Sequence, residues 1–147
     1  SEYTPSVTAA PSNPGLKATW HEFKGNKCSE IEKAPVNGTY PVEDVMIPKK
    51  VKGNIGLIIK GYFNAPQDDI YTFALLSDDG STLTIDSEQI VDNDGPHGPK
   101  EIVGQKALAK GYHPMELRYF DQNGGQLKLK VTGSDGKEIP FTHLYAH

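Results

Sequence analysis

Alternation of apolar and polar residues is the main pattern along this chain. Residues 82–86 place Leu83 and Ile85 on one face of an extended segment, and residues 126–132 place three apolar side chains opposite two lysines and a threonine. Successive side chains of a strand point to opposite faces of the sheet. Both segments are therefore predicted to be half-buried strands.

Two further segments are apolar at nearly every position. They read IGLIIKGYF at residues 55–63 and IYTFALL at residues 70–76, which is typical of strands in the middle of a packed sheet or sandwich. A further strand is predicted at residues 112–120, where Pro114 favours an edge position or a bulge because proline cannot donate to a sheet. No stretch of ten residues carries a helical stripe, although residues 29–33 could form one turn.

Turn-forming residues separate these strands at short intervals. Clusters such as APQDD, SDDG, DNDGPHGP and GSDGK are rich in Gly, Asp, Asn and Pro, which supply the backbone angles and local hydrogen bonds that tight connections need. Many short strands joined by such turns predict an all-β protein, an antiparallel β-sandwich or barrel. Residues 1–14 lack any apolar period and are interpreted as a linker or disordered segment, and residues 15–147 as one domain.

Composition excludes several classes of protein. A chain of 147 residues that is 36% hydrophobic fits one domain with one core. The net charge of -4, without a concentrated basic window, argues against a nucleic-acid partner. No run approaches the roughly 18 apolar residues that span a bilayer, so membrane insertion is not expected. Cys28 is the single cysteine, which excludes an internal disulfide, and it is predicted to be a buried or idle thiol.

The common catalytic signatures are also missing. The sequence contains no G-x-S-x-G, no G-x-x-x-x-G-K-[ST], no H-E-x-x-H and no C-x-x-C. These are the motifs of the commonest nucleophile, phosphate and zinc sites. We therefore expect a non-catalytic domain.

An acidic pair, Asp78 and Asp79, interrupts two apolar runs in LSDDGSTLTID. One interpretation is a solvated turn, since Asp and Gly are common there. The other is a cation site: neighbours on an extended strand point apart, but a cis peptide between the two would let both carboxylates face one side. Calcium binds about 6 to 8 oxygens, and residues 121–125, DQNGG, could add a carboxylate or amide and main-chain carbonyls.

Two other polar or aromatic residues have simpler interpretations. His97, in the loop of residues 92–99, is predicted to hydrogen-bond a carbonyl within its loop, because a single histidine without a His or Cys partner is weak evidence for a metal. Trp20, in GLKATWHEF, is predicted to be a core anchor. Neither residue is assigned to a binding site.

The order of motifs resembles one known family. GLKATWHEF near the start, IKGYFNAPQDDIYTFALLSDDGSTLTID in the middle and IVDNDGPHGPKEIVGQKALAKGYHPMELRYFDQNGGQLKLKV thereafter resemble the protective-antigen-14 domain family, over residues 15–131. That family occurs in the anthrax protective antigen, in many bacterial glycosidases and in yeast flocculins. The resemblance implies an antiparallel β-sandwich of jelly-roll-like topology.

The resemblance also implies a site. In the lectin members an Asp-Asp pair joined by a cis peptide binds calcium with an Asn and main-chain carbonyls of a later loop, and sugar hydroxyls complete the shell. Here the pair matches Asp78 and Asp79, and either Asp121 or Asn123 matches the later ligand. The metal ligands implied are Asp78, Asp79, Asp121 and Asn123, and the sugar-binding residues implied are Asp78, Asp79, Asn123, Gly124 and Gly125.

The function implied is a calcium-dependent carbohydrate-binding module. Its expected partners are a glycan or terminal sugar and a catalytic domain in the same parent chain, such as a secreted β-hexosaminidase or β-glucosidase. An extracellular, periplasmic or cell-surface location follows from the family alone, because no signal peptide precedes Ser1. The alternative is a structural or protein-interaction module that packs against a catalytic domain without binding sugar.

Overall fold

The chain folds as a β-sandwich of two sheets. The computed structural model describes residues 2–122 and 125–147, and all pairs between named strands in it are antiparallel. The elements are β1 (Asn13–Pro14), β2 (Leu16–Glu22), the 3-10 helix η1 (Cys28–Lys33), β3 (Val36–Val42), β4 (Ile55–Ala65), β5 (Asp69–Asp78), β6 (Ser81–Ile85), β7 (Glu88–Asn93), β8 (Lys100–Leu108), β9 (Gly111–Asp121), β10 (Gln126–Thr132), β11 (Glu138–Ile139), the 3-10 helix η2 (Phe141–His143) and β12 (Leu144–Ala146).

The two sheets have different sizes. The larger has the order β1-β12-β4-β9-β6-β7, with β2 lying beside β12 along the same edge of β4 and β3 outside β2. The smaller has the order β11-β10-β5-β8. The predicted all-β, jelly-roll-like sandwich is confirmed. None of the helices among the described residues is long and apolar enough to cross a membrane.

The strand predictions agree with the structure in position but differ in burial. The run at 126–132 coincides with β10, and Leu83 and Ile85 of β6 are fully buried. The run at 70–76 lies inside β5, yet only one face of that strand is buried, and Ile70 on the other face is 48% exposed. The residues on this outer face are exposed or half-buried, so an apolar run on both sides did not mean burial on both sides.

The edge position predicted from Pro114 is wrong. Its strand, β9, pairs with β4 on one side and with β6 on the other, without a bulge at the proline. The carbonyl of Pro114 accepts a hydrogen bond of 2.9 Å from the N–H of Asp86, which shows that this residue faces the β6 side. Since β6 ends at Ile85, opposite Met115, Pro114 lies at the end of this pairing, where its missing N–H leaves the pairs from Ser81 to Ile85 intact.

Two apolar clusters hold the fold together. The main core lies between the sheets, where Leu57, Phe73 and Leu117 are completely buried. A second cluster lies on the outer face of the larger sheet, where Cys28 and Ile31 of η1 cover part of β4 and the end of β9. The predicted single turn at 29–33 is therefore the element that buries the second face of β4.

Part of the N-terminal segment pairs with the sandwich. Thr4 donates a hydrogen bond of 3.0 Å to the carbonyl of Ala107, and the N–H of Ala109 donates one of 2.9 Å to Thr4. Further along, β1 pairs with β12. These contacts lie within the 14 residues interpreted as a linker, whose sequence lacks the alternating pattern that would have indicated them. The domain boundary at Gly15 stays a prediction.

Trp20 and Cys28 have the surroundings predicted for them. The indole of Trp20 is half-buried and packs against the main core. Cys28 is 1% exposed, and burial, with the charge of Asp94 adding to it, raises the pKa of its thiol above the ordinary value. A thiol held in its protonated form is a poor nucleophile and a poor metal ligand.

Candidate functional site

The acidic pair lies where the chain crosses from one sheet to the other. Strand β5 of the smaller sheet ends at Asp78 and β6 of the larger begins at Ser81. The peptide between Asp78 and Asp79 is cis, as the family resemblance implied. Gly80 completes the crossing, and a Cβ on it would lie 2.6 Å from the carbonyl oxygen of Gly95, so a residue with a side chain does not fit there without displacing its neighbours.

A third carboxylate joins the pair from the end of β9. Asp78, Asp79 and Asp121 each offer an oxygen that lies within 4.8 Å of the other two. Asp121 is buried and the other two are half-buried. The pairing of β6 with β9 produces this arrangement, because it places the last residues of β9 beside the start of β6, and the N–H of Phe120 donates a 3.0 Å hydrogen bond to Gly80.

The triad has the chemistry that a hard cation needs. Calcium prefers carboxylate and carbonyl oxygens at about 2.3–2.6 Å, so two oxygens bound to one ion are at most about 5 Å apart. The three carboxylate oxygens satisfy this limit. They fit part of a calcium shell, and main-chain or sugar oxygens would have to supply the rest.

Tyr119 contacts the main chain of the acidic pair from the interior of the sandwich. Its hydroxyl donates a hydrogen bond of 2.6 Å to the main-chain carbonyl of Asp78, and its side chain is fully buried. Burial raises the pKa of Tyr119, and the charges of Asp121, Asp78 and Asp79 raise it further, so the phenol stays a donor. Sequence reasoning missed this residue, although its position two residues before Asp121 on one strand puts both on the same face.

The loop after β7 contacts the pair from the other side. The main-chain N–H of His97 donates a hydrogen bond of 3.0 Å to Oδ1 of Asp79. The imidazole of His97 lies 2.8 Å from the carbonyl oxygen of Asn93 and 2.7 Å from that of Gly98. The predicted contact between His97 and a carbonyl of its own loop is confirmed.

Gly125 lies against the same site. A Cβ at this position would be 2.0 Å from the carbonyl oxygen of Asp78 and 2.9 Å from Cγ of Asp121. Only a glycine therefore allows the loop after β9 to approach so closely. Asn123 and Gly124 lie outside the described residues, so their predicted roles as calcium and sugar ligands stay predictions.

A separate cleft of about 830 Å³ lies elsewhere on the sandwich. Its walls are mainly apolar and include Tyr40, Met46, Phe141 and Tyr145. None of the three aspartates lines it. The acidic site at the sheet crossing is thus not part of this cleft.

Comparison with known families identifies the fold. A family model described as PA14 domain matches residues 12–141. The chain belongs to the PA14 domain family. The matched range includes the Asp pair, Asp121 and the loops around them. No curated protein matches the sequence.

Solved structures with the same fold come from different kinds of protein. A PA14 sugar-binding domain from an RTX adhesin has a TM-score of 0.77 at 16% identity, covering 92% of this chain and 100% of that chain. The Epithelial Adhesin 9 A domain from Candida glabrata, in complex with Galb1-3GlcNAc, has a TM-score of 0.69 at 13% identity, covering 97% and 94%. A β-glucosidase from Kluyveromyces marxianus, in complex with glucose, has a TM-score of 0.66 at 17% identity, covering 90% of this chain and 18% of that one.

Proposed function

We propose that this PA14 domain is a non-catalytic carbohydrate-binding module with a calcium ion held by Asp78, Asp79 and Asp121. The observation that carries the proposal is the convergence of the three carboxylate oxygens to within 4.8 Å of one another. Two of the three are half-buried, so a ligand can reach the group from solvent. In this proposal the loop of residues 123–125 supplies the remaining ligands and contacts the sugar.

Each part of the site has a separate role in the proposed binding. The three carboxylates would supply negatively charged oxygen ligands to the divalent cation. Calcium, when bound, would offer coordination positions to two adjacent sugar hydroxyls. The protein oxygens that remain free to accept hydrogen bonds would fix the orientation of those hydroxyls. This division makes sugar binding dependent on the metal.

The names of similar structures support a sugar as the ligand. One is a sugar-binding PA14 domain and another is an adhesin domain in complex with a galactosyl disaccharide. The β-glucosidase contains this fold within a longer chain. We extend the proposal to an accessory role in a larger secreted glycoside hydrolase, where a tethered module raises the local concentration of the enzyme on its glycan.

The alternative, a structural or protein-interaction module, also has an observation in its favour. Ile70 and Val103 are 48% and 53% exposed on β5 and β8, which are neighbouring strands of the smaller sheet. They are not cross-strand neighbours, because the pair of Thr72 and Gln105 lies between them, but both lie on the outer face of the sheet, and a domain packed on that face would bury both. In this case the Asp triad would only order its loops.

Thermal unfolding with and without calcium separates the two functions. Calcium at about 100 times its dissociation constant should stabilise the fold by about 2.7 kcal/mol, a rise in Tm of roughly 5–10 °C for a chain of this size. Asp78→Ala should abolish the rise, and Asp135→Ala, at an exposed turn between β10 and β11, should keep it. An unchanged Tm in wild type after chelation would contradict the metal site.

Sugar binding requires a second measurement. The calcium-loaded protein is screened against a panel of glycans. A glycan that binds should raise the Tm further, and chelation of the calcium should remove that additional rise. If calcium binds but no glycan adds to it, the interaction module is the better description. A binding glycan whose effect survives both chelation and Asp78→Ala would place the sugar site elsewhere.

A further inference from the structure

The carboxylate of Asp79 is held by the main chain of another loop. Its Oδ1 accepts the 3.0 Å hydrogen bond from the N–H of His97. A main-chain N–H can orient a carboxylate only if its own peptide is fixed. The question is what fixes the peptide at His97.

The imidazole ring of His97 fixes it. One ring nitrogen lies 2.8 Å from the carbonyl oxygen of Asn93 and the other lies 2.7 Å from that of Gly98. Carbonyl oxygens only accept, so each contact is a hydrogen bond when its ring nitrogen carries a proton. A neutral ring can donate to one of the two carbonyls at a time and a protonated ring to both. The ring thereby spans residues 93–98 and closes the loop on itself.

The first of these carbonyls belongs to a rigid part of the fold. Asn93 is 2% exposed, and its amide nitrogen lies 3.2 Å from the carbonyl oxygen of Leu75, 3.3 Å from Oγ of Ser77 and 2.8 Å from the carbonyl oxygen of Lys100. These partners belong to β5 and β8, whereas Asn93 ends β7 in the other sheet. The ring of His97 is therefore anchored to a point where both sheets meet.

The other side of the loop is anchored to η1. The carboxylate of Asp94 accepts a hydrogen bond of 3.0 Å from the N–H of Cys28 and one of 2.8 Å from the N–H of Gly95. The loop also lies directly against the acidic turn, since a Cβ on Gly80 would meet Gly95. The loop thus has one anchor in the sheets, one in η1 and a contact with Asp79.

We propose that His97 is a positioning residue for Asp79, acting through the loop it closes and not as a ligand. The inference rests on the proposed function, because it names what orients one of the three calcium ligands. Without the ring, its two contacts with main-chain carbonyls no longer hold the peptide at residue 97 in place. The N–H of that peptide then no longer orients Oδ1 of Asp79. Outer hydrogen-bond partners of this kind contribute about 10- to 100-fold to metal affinity.

Calcium titration of three variants tests the inference. Isothermal titration calorimetry should show His97→Ala binding calcium about tenfold more weakly than wild type. His97→Gln should fall between the two, because its amide can donate to one carbonyl. The matched control is His143→Ala, which also removes a contact between a ring nitrogen and a main-chain carbonyl, that of Asn64 at 3.0 Å, and should leave the affinity unchanged.

Amide hydrogen exchange in metal-free protein supplies a readout that does not need calcium. The N–H of residue 97 should exchange about tenfold faster in His97→Ala than in wild type, as a local opening does, while amides of β4 stay protected. If His97→Ala does not fold, the same comparison is made with His97→Gln.

The outcomes separate this inference from the proposed function. Equal calcium affinity in wild type and the His97 variants, or unchanged exchange at residue 97, overturns the positioning role. A wild-type chain that binds no calcium overturns the proposed metal site and this inference with it. If His143→Ala weakens calcium binding as much as His97→Ala does, the positioning role of His97 is also overturned, because the effect would then be one of general stability.

Discussion

The hydroxyl of Tyr119, in the larger sheet, donates a 2.6 Å hydrogen bond to the main-chain carbonyl of Asp78, at the end of the smaller sheet. This bond ties the two sheets together directly beneath the acidic pair. We expect Tyr119→Phe to lower the free energy of unfolding by about 1 kcal/mol, the usual contribution of one such bond. It should also weaken calcium binding, because the backbone that carries Asp78 loses its support.

Tyr71→Phe is the matched control for this prediction. The hydroxyl of Tyr71 also donates to a main-chain carbonyl, that of Gln67, it accepts a hydrogen bond of 3.2 Å from the N–H of the same residue, and its ring is also fully buried. Urea denaturation should show a similar loss of stability in both variants, and calorimetry should show weaker calcium binding in Tyr119→Phe alone. Equal calcium affinities in the two variants would mean that Tyr119 serves the fold and not the site.

Gly125→Ala should damage the site by steric overlap. The new methyl group would lie 2.0 Å from the carbonyl oxygen of Asp78 and 2.4 Å from the hydroxyl of Tyr119, so the loop must move away from the pair. Overpacking of this kind costs about 1–3 kcal/mol, and calcium affinity should fall with it. Gly98→Ala is the control, since a Cβ at Gly98 meets no atom within 4 Å. Both are measured by denaturation and calcium titration, and equal effects would contradict the close approach of the loop.

The sequence predicts the parts of this protein that depend on local pattern. Alternating residues located β6 and β10, and the acidic pair marked the connection between β5 and β6. Asp121 was one of two alternatives, and the structure brings it to the pair because β9 lies beside β6. Long-range pairing of this kind leaves no mark in a single sequence, so it could not be deduced from strand patterns alone.

Buried polar contacts were also beyond the reach of sequence patterns. His113 is completely buried, with one ring nitrogen 2.7 Å from Oδ2 of Asp86 and the other 2.7 Å from the carbonyl of Ala109. Asn93 is buried between two sheets with three hydrogen-bond acceptors. Both residues lie in stretches with the pattern of an ordinary strand or turn. Polar residues in such positions are normally exposed, so the pattern gave no reason to expect their burial.

Stability at acidic pH should depend on Asp69. Hydrogen bonds from the hydroxyl and N–H of Ser134, and from the N–H of Ile70, lower the pKa of Asp69. A carboxylate whose pKa is lower in the folded than in the unfolded chain stabilises the fold above its unfolded value, about 3.9, and loses this contribution as the pH falls through its folded value. Wild type should therefore be more stable than Asp69→Asn at pH 7, and the difference should shrink toward pH 3.

Denaturation at pH 7, 5 and 3 measures this difference. Glu101→Gln, which removes an exposed carboxylate from β8, is the control and should follow wild type at each pH. If the stability of Asp69→Asn runs parallel to that of wild type down to pH 3, the hydrogen bonds to Asp69 do not favour its charged form.

The thiol of Cys28 should be unreactive until the protein opens. It is 1% exposed in the cluster beneath η1, and its raised pKa leaves little thiolate, which is the reactive form. Because it is the chain's single cysteine, a thiol reagent reports on this position alone. We expect slow labelling of the native protein and rapid labelling in denaturant, with the labelling midpoint at the unfolding midpoint. The control is Cys28→Ala with Ser29→Cys, which moves the thiol one residue along to an exposed position and should label rapidly in the native state. Equally fast native labelling of wild type and this control would show that η1 opens independently of the sandwich, and the second cluster would then not protect the outer face of β4.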